Sequence, residues 1–357
     1  MLATASALAF DSAMSDMQGA HVLVLGGTVF VGRAFVEHAL AQGADVTTFN
    51  RGQSGPDVVG VRAIRGDRTD PDALADLARG HYDFVVDTTP QVPAHVVMST
   101  RVLADAAHAY VVVSTIGSVQ GWGTDPITID TPLLEHDPDA IDNPDYSSAK
   151  AGVEAAALRE LGERAVIVRP GVIAGPYERI GRLPWWLTYV KDHDLIIAPG
   201  RPTANYQVVD VRDLAAVLAI AGMRTSRGDN PGIIHAINPP GRDTIEDLVS
   251  ACVDAVGGRH ELVWVGDDDV LAAGVEPWDG FPQWLPDTAE WTHALNVDDS
   301  SFSSLVQGRP LEETVLDTWQ WMQTGGEWNR PESRLSAAQY AQLHGTLESR
   351  EWDGDDD

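Results

Sequence analysis

The sequence predicts an α/β protein: a doubly wound parallel sheet with a smaller C-terminal lobe. Three observations predict it. Short apolar runs alternate with helical patterns through the first half of the 357 residues, as in a parallel sheet covered on both faces. The glycine-rich segment Val24-Leu25-Gly26-Gly27-Thr28-Val29-Phe30-Val31-Gly32 runs straight from the first apolar run into the first helical pattern. After Pro170 the texture changes to tryptophans, prolines and longer irregular stretches. Together these define a Rossmann-like sheet domain followed by a substrate lobe.

His21 to Leu25 reads as the first strand, and Phe30 to Gln42 as a helix stopped by Gly43. Asp45 to Phe49 and Val61 to Arg65 are the next strands, and Pro71 opens a short helix because proline is tolerated in a first turn. Phe84 to Asp87 and Tyr110 to Ser114 are strands separated by a helix from about Ala94 to His108. Asn143 and Pro144 open a helix carrying Tyr146 and Lys150, and Ala165 to Arg169 is a buried strand. Gln207 to Val211 and Ile233 to Ile237 read as strands returning to the main sheet. The sheet domain then comprises residues 19–170 with about 207–240, and the lobe about 171–206 and 241–330. Residues 1–18 read as a disordered extension and 331–357 as a short helix with an acidic tail. Met1, Met14 and Met17 are all candidate starts.

The formal net charge of -29 repels nucleic-acid phosphates and anionic lipid, so neither is expected as a partner. Cys252 is the single cysteine, which fits a reducing compartment. No apolar run approaches the ~18 residues of a membrane span, and the N-terminus lacks a cationic leader region; a cytoplasmic location is expected. The histidines show no metal-ligand spacing, so no metal site is expected. Asp267-Asp268-Asp269 reads as the acidic start of a helix.

The turn Gly26, Gly27, Thr28, Phe30, Val31 and Gly32 is suited to phosphate. Glycines allow a tight turn and close approach of a pyrophosphate, and the following helix start offers free N–H groups. The second strand ends in Asn50-Arg51-Gly52, without the acid that would grip a ribose 2′-hydroxyl. Arg51 is placed to accept a 2′-phosphate, which favours NADP(H), with NAD(H) the other possibility. Asp67, after the third strand, either meets the adenine or caps its loop.

Lys150, one of only two lysines, stands one helical turn after Tyr146, so both side chains share a face. Arginine is not equivalent beside a phenol, being a planar fork rather than a compact charge. Beside a nicotinamide, a tyrosine and lysine so placed form a proton-transfer pair.

These pieces resemble the extended short-chain dehydrogenase/reductases, the NAD-dependent epimerase/dehydratase family, in a branch with a Gly-Gly-Thr-x-Phe-x-Gly turn. The similarity runs over about residues 20–325, through Asn50-Arg51-Gly52, Ser114-Thr115, Tyr146…Lys150, Val168-Arg169-Pro170-Gly171, Val209-Asp210-Val211-Arg212-Asp213-Leu214, Gly274-Val275-Glu276-Pro277-Trp278 and Arg309-Pro310-Leu311. The resemblance implies that Tyr146 is the catalytic acid/base, that Lys150 holds the nicotinamide ribose and lowers the Tyr146 pKa, and that Pro170 adds a cofactor contact. Moving a phenol from about 10 to neutrality takes roughly 3 units, about 4 kcal/mol. Val29 stands where the family usually has its middle glycine. The third catalytic hydroxyl falls on Thr115 or, in a shifted register, on Ser118.

Ile116 and Gly117 replace the acid pair that dehydratases of this family carry, which disfavours dehydration. Trp122, Trp185, Trp186, Tyr206 and Trp284 either line an aromatic substrate pocket or pack the core, and Arg182 is placed for an anionic substrate group or the surface. The expected activity is hydride transfer between a nicotinamide and a carbonyl or alcohol carbon of a small molecule. The alternatives are a nucleotide-sugar epimerase with tightly held NAD, and a cofactor-binding regulatory or RNA-associated relative without turnover. A homodimer is possible by analogy with the family.

Overall fold

The computed structural model describes residues 17–143, 145–330 and 334–353. Seven parallel strands form the main sheet: β1 (His21–Leu25), β2 (Asp45–Asn50), β3 (Arg62–Arg65), β4 (Tyr82–Asp87), β5 (Ala107–Val113), β6 (Ala165–Pro170) and β10 (Ile233–Ala236). Their spatial order is β3-β2-β1-β4-β5-β6-β10, and every pairing is parallel. The order reverses at β1, so a crevice opens beyond the C-terminal ends of β1 and β4.

Side chains alternate across the sheet with period two. Val22 and Val24 pack with Phe84, Val86 and Val111 beneath α1 (Phe30–Ala41) and α6 (Val211–Ser226). Leu23 and Leu25 face the other way, with Val85, Val112 and Ile167, toward α2 (Pro71–Leu77), α3 (Pro93–Leu103) and α4 (Tyr146–Leu161). Met17 belongs to the first of these layers. Both faces are dry, which is why the strands read as nearly continuous apolar runs.

The helix expected over about 94–108 ends at Leu103. Alanines 106, 107 and 109 favour helix locally, but Ala107–Val113 is drawn into register with β4, Tyr82 opposite Ala107. Pairing overrides propensity here. The helix carrying Tyr146 starts at Tyr146 with Asp145 as its cap, whose carboxylate accepts from the Ser148 N–H at 2.7 Å. Pro144, expected at this start, lies outside the described residues.

Of the two strands expected to return to the sheet, only β10 does so. The other, β9 (Val208–Asp210), pairs with β7 (Val172–Ala174) in a separate two-stranded ribbon. The second core gathers β8 (Leu195–Pro199), β11 (Glu261–Val265), α5 (Leu183–Asp192), α7 (Ile245–Val256), α8 (Asp267–Ala272) and α10 (Leu311–Gln323); the short α9 (Ser300–Ser303) instead joins the main sheet's core through Phe302. Asp267 to Asp269 do form the acidic first turn of α8. The last helix, α11 (Ala337–Asp353), spans 17 residues where a short helix was expected, and Leu343 and Tyr340 dock it on the lobe.

Candidate active site

The glycine turn lies at the mouth of the crevice. Gly26 and Gly27 have φ of 117° and 94°, conformations that side chains rarely adopt. A Cβ on Gly32 would come within 2.7 Å of the Gly27 backbone nitrogen and 2.9 Å of Thr88 Oγ1, so this third glycine lets α1 close on the turn. Val29 is the N-cap of α1, with extended backbone; no side chain caps the helix and no acid occupies its first turn. Its N-terminal N–H groups are thus left for an anion. Phe30, with φ of 40°, carries left-handed backbone that costs on the order of 1 kcal/mol or more. Thr28 is buried, while Phe30 and Val31 are half-buried at the turn.

At the end of β2, Asn50 is a structural clamp. Its amide donates to Gly26 O at 3.1 Å, and its Oδ1 accepts from Gly52 N at 2.8 Å and from Arg65 Nη1 at 2.9 Å. Arg65 also pairs with Asp57. Arg51 is exposed, with no carboxylate within ion-pair distance among the described residues. Asp67 caps its own loop, accepting from the Thr69 N–H at 2.9 Å and hydroxyl at 2.8 Å. Those bonds, with Arg51 nearby, hold its carboxyl below the usual range. Arg179 reaches from the lobe to Ser54 O at 2.7 Å, tying the loop after β2 across the crevice.

Thr115, Tyr146 and Lys150 meet beyond the end of β5. Thr115 caps the 3-10 turn Ile116–Ser118, and its side chain is near enough to the Tyr146 phenol to favour the ionised form. Lys150 is buried; its Nζ donates to Val113 O at 2.9 Å and lies 5.8 Å from the Tyr146 ring centre. Burial pushes the ammonium pKa down to about 8, against the pull of Asp87 and Glu154. Asp87 itself is buried, paired with Arg68 at 2.7 Å and accepting from Tyr110 OH at 2.8 Å.

Tyr146 is 54 % exposed, yet loss of water around the hydroxyl pushes its pKa up, with Arg182 and Thr115 pulling the other way. Arg182 is thus a cation that favours the phenolate, while Lys150, its Nζ bonded to the Val113 carbonyl, stands over the phenol ring. Tyr146 is held as a phenol, a proton donor.

Ser118 does not share the site. It is fully buried, with its Oγ 2.8 Å from both Thr115 O and Glu154 Oε1. Pro170 ends β6 and is buried beside Gly171, where a Cβ would strike Ile237 at 2.1 Å.

The expected aromatic pocket divides. Trp186 and Trp284 are lobe core, their indole N–H groups donating to Pro282 O at 3.1 Å and Asp267 Oδ1 at 3.0 Å. Trp185 stacks on Tyr189 at 4.9 Å in the same core. Tyr206 is buried and donates to Gln283 Oε1 at 3.0 Å. Trp122 instead meets Trp278 and Trp291 edge-on at 5.4 and 5.9 Å, and Arg182 lies 5.8 Å over Trp278. The chain Tyr146, Arg182, Trp278, Trp122 thus continues outward from the phenol. Sequence reasoning missed Glu178, a buried carboxylate accepting from the Arg182 N–H at 2.6 Å and the Leu183 N–H at 3.2 Å. It also missed Glu154, although its position one turn after Lys150 was a usable signal. A cavity of about 290 Å³ lies at the ends of β8 and β11, lined by Asn205, Trp284, Trp291 and Asn296; Thr115, Tyr146 and Lys150 are not among its walls.

The strand order and the glycine turn at its reversal define a Rossmann-like α/β protein with a cradle for a dinucleotide. The chain belongs to the NAD dependent epimerase/dehydratase family, whose model matches residues 22–236. No curated protein matches it in sequence. Its fold is shared by solved structures of low identity. The Bordetella bronchiseptica enzyme WbmH in complex with NAD+ is 17% identical, covering 87% of this chain and 100% of that one, with a TM-score of 0.63. The Campylobacter jejuni UDP-Glc/GlcNAc 4-epimerase is 14% identical over 86% and 100%, with a TM-score of 0.64. The Thermus thermophilus UDP-glucose 4-epimerase complex with NAD is 17% identical over 85% and 99%, with a TM-score of 0.59. No helix among the described residues is long and apolar enough to cross a membrane.

Proposed function

We propose that the chain is an NADP(H)-preferring oxidoreductase that reduces a carbonyl carbon of a small molecule, or oxidises the corresponding alcohol. The observation that carries this reading is the buried Lys150 standing over the Tyr146 ring, with Thr115 near the phenol. The family's name supports a nicotinamide dinucleotide, and the cradle fits one: three glycines where a Cβ would clash, and a helix start with no side-chain cap. When bound, the nicotinamide supplies or accepts the hydride.

The chain's own residues do the rest. Gly26, Gly27 and Thr28, with the first N–H groups of α1, hold the pyrophosphate. Arg51, exposed and free of a carboxylate partner, receives the 2′-phosphate. Lys150 spends one N–H on Val113 O and keeps two for the ribose hydroxyls. Thr115 donates to the substrate oxygen and so orients it. Tyr146 then gives its phenol proton to that oxygen, and Arg182 beside it steadies the phenolate left behind. A phenol kept protonated at neutral pH is the form the reductive direction uses. Arg182 and the Trp122/Trp278 pair suit a substrate with an anionic group next to an apolar or planar portion. Ile116 and Gly117 offer no acid or base for elimination.

The test is Tyr146→Phe assayed against a panel of carbonyl compounds with NADPH. The variant is expected to bind cofactor as the parent does and to lose turnover by a factor of about 100 or more. Undiminished turnover would overturn the mechanism. A stoichiometric cofactor that survives purification would move the reading to a nucleotide-sugar epimerase.

A further inference from the structure

Glu154 lies one turn beyond Lys150 and two beyond Tyr146 on α4, and is fully buried. No step of the proposed chemistry uses it. Its Oε1 accepts from the Ser114 hydroxyl and lies 2.8 Å from Ser118 Oγ and 3.0 Å from Arg169 Nε. Its Oε2 accepts from Arg169 Nη2 at 2.7 Å and Nε at 3.0 Å. Ser114 precedes Thr115 and Ser118 closes the turn that Thr115 caps; Ser118 Oγ and N–H also reach Thr115 O, at 2.8 and 3.2 Å. Thr115 is therefore gripped on both sides by hydroxyls that end on one carboxylate, and that carboxylate is rooted in the helix carrying Tyr146 and Lys150.

Stability alone does not account for this arrangement. A buried Arg–Glu pair is often no better than apolar residues of the same volume, and here Arg169 Nη1 is buried without a partner. What the pair does supply is register: it joins β5's end, the 3-10 turn, β6 and α4 at one point, through charge-assisted bonds that tolerate little displacement. We propose that Glu154 is a positioning residue that sets the Thr115 turn against α4 and so fixes how the Thr115 and Tyr146 hydroxyls face each other. Its kinetic consequence rests on the function proposed above; its structural consequence does not.

The test uses two changes in the full chain. Ser114→Ala removes one link and leaves the Glu154–Arg169 pair whole. Glu154→Leu combined with Arg169→Met removes the pair as a unit, so that no lone charge is left buried. Folding is checked by thermal midpoint and near-UV circular dichroism, cofactor affinity by NADPH fluorescence, and turnover by kcat and KM. Ionisation of Tyr146, which faces Thr115, Lys150 and Arg182, is read from phenolate absorbance as the difference from Tyr146→Phe in each background. Both variants are expected to fold and bind NADPH like the parent, with kcat falling on the order of tenfold to a hundredfold and KM changing little. Tyr146 should ionise at higher pH as Thr115 drifts from it. If the folded variants keep the parent's phenol titration, Glu154 is structural only and the proposal is overturned. If Tyr146→Phe itself keeps full turnover, the functional reading fails while the phenol titration still judges Glu154.

Discussion

At the scale of single residues, the site combines groups whose roles depend on what their neighbours leave free. Lys150 is useful because burial and one carbonyl bond fix it while two N–H groups remain. In the proposed reading Arg51 matters because β2 ends without an acid, and because Arg65, packed against Gly52, is already committed to Asp57 and Asn50. If Arg51 receives a 2′-phosphate, Arg51→Ala should weaken NADPH binding by about 1.5–3 kcal/mol, roughly tenfold to a hundredfold, and NADH binding by no more than twofold. Equilibrium titration of both cofactors checks this, and equal losses would reject the assignment. Part of this scale was legible from spacing: Lys150 stands over the Tyr146 ring from the same helix, and the glycines lead into α1. Asp67 was not resolved by spacing, since a carboxylate after a strand can serve a ligand or its own loop; its Oδ1 is engaged by Thr69. The tryptophans were ambiguous for a similar reason: an indole is suited both to core and to pocket, and only the neighbours of Trp186 and Trp284 make them core.

At the scale of elements, two helix starts are treated in opposite ways. The start of α1 has neither cap nor acid, and is open to an anion. The start of α5 is closed from within by Glu178, which is buried where the lobe meets the site. Burial raises the Glu178 carboxyl to about 7, against the Arg182 and Leu183 N–H groups and the Arg182 and Arg334 charges. The sign of the resulting pH dependence follows directly. Below about 4.5 the group is protonated folded and unfolded alike. Between 4.5 and 7 the unfolded chain sheds the proton while the fold retains it, so stability falls as pH rises through this window and levels off above it. Glu178→Gln removes the titration. The parent's thermal midpoint, taken relative to the variant's, should therefore decline between pH 4.5 and 7.5; a constant difference across that range would refute it. The sequence marked α4 and α1 well because periodicity and caps are local. It overran α3, because the residues that become the start of β5 are alanines whose helical preference is overturned only by pairing with β4.

At the scale of the whole molecule, a chain with a net charge of -29 folds around two dry cores, so its charge must sit on the surface and repel itself. Ion pairs such as Arg159 with Asp139 and Arg224 with Asp229 relieve this locally and weakly. Adding NaCl to about 1 M should therefore raise the thermal midpoint, by about 1–2 °C, since relief of about 1 kcal/mol shifts a chain of this size by little more than a degree. A midpoint that falls with salt would show that the ion pairs outweigh the repulsion. The alternation of strands and helices was enough to foresee the main sheet, because each strand is buried on both faces and announces itself by composition. The lobe was only outlined, because its core is assembled from segments far apart in sequence, β8 pairing with β11 and α11 returning to cover them.

The sequence by itself determined the sheet domain, the glycine turn into α1 and the placing of Tyr146 and Lys150 on one helix, because these depend on periodicity, glycine and spacing within single elements. Tertiary structure alone decided that Ser118 is buried against Glu154, that Arg182 from the lobe acts on the Tyr146 phenol, and which tryptophans pack the core. Those outcomes turn on distances between elements remote in the chain: Thr115 on the β5 turn, Arg182 before α5 and Glu154 on α4 come together only when the sheet and the lobe have closed around them.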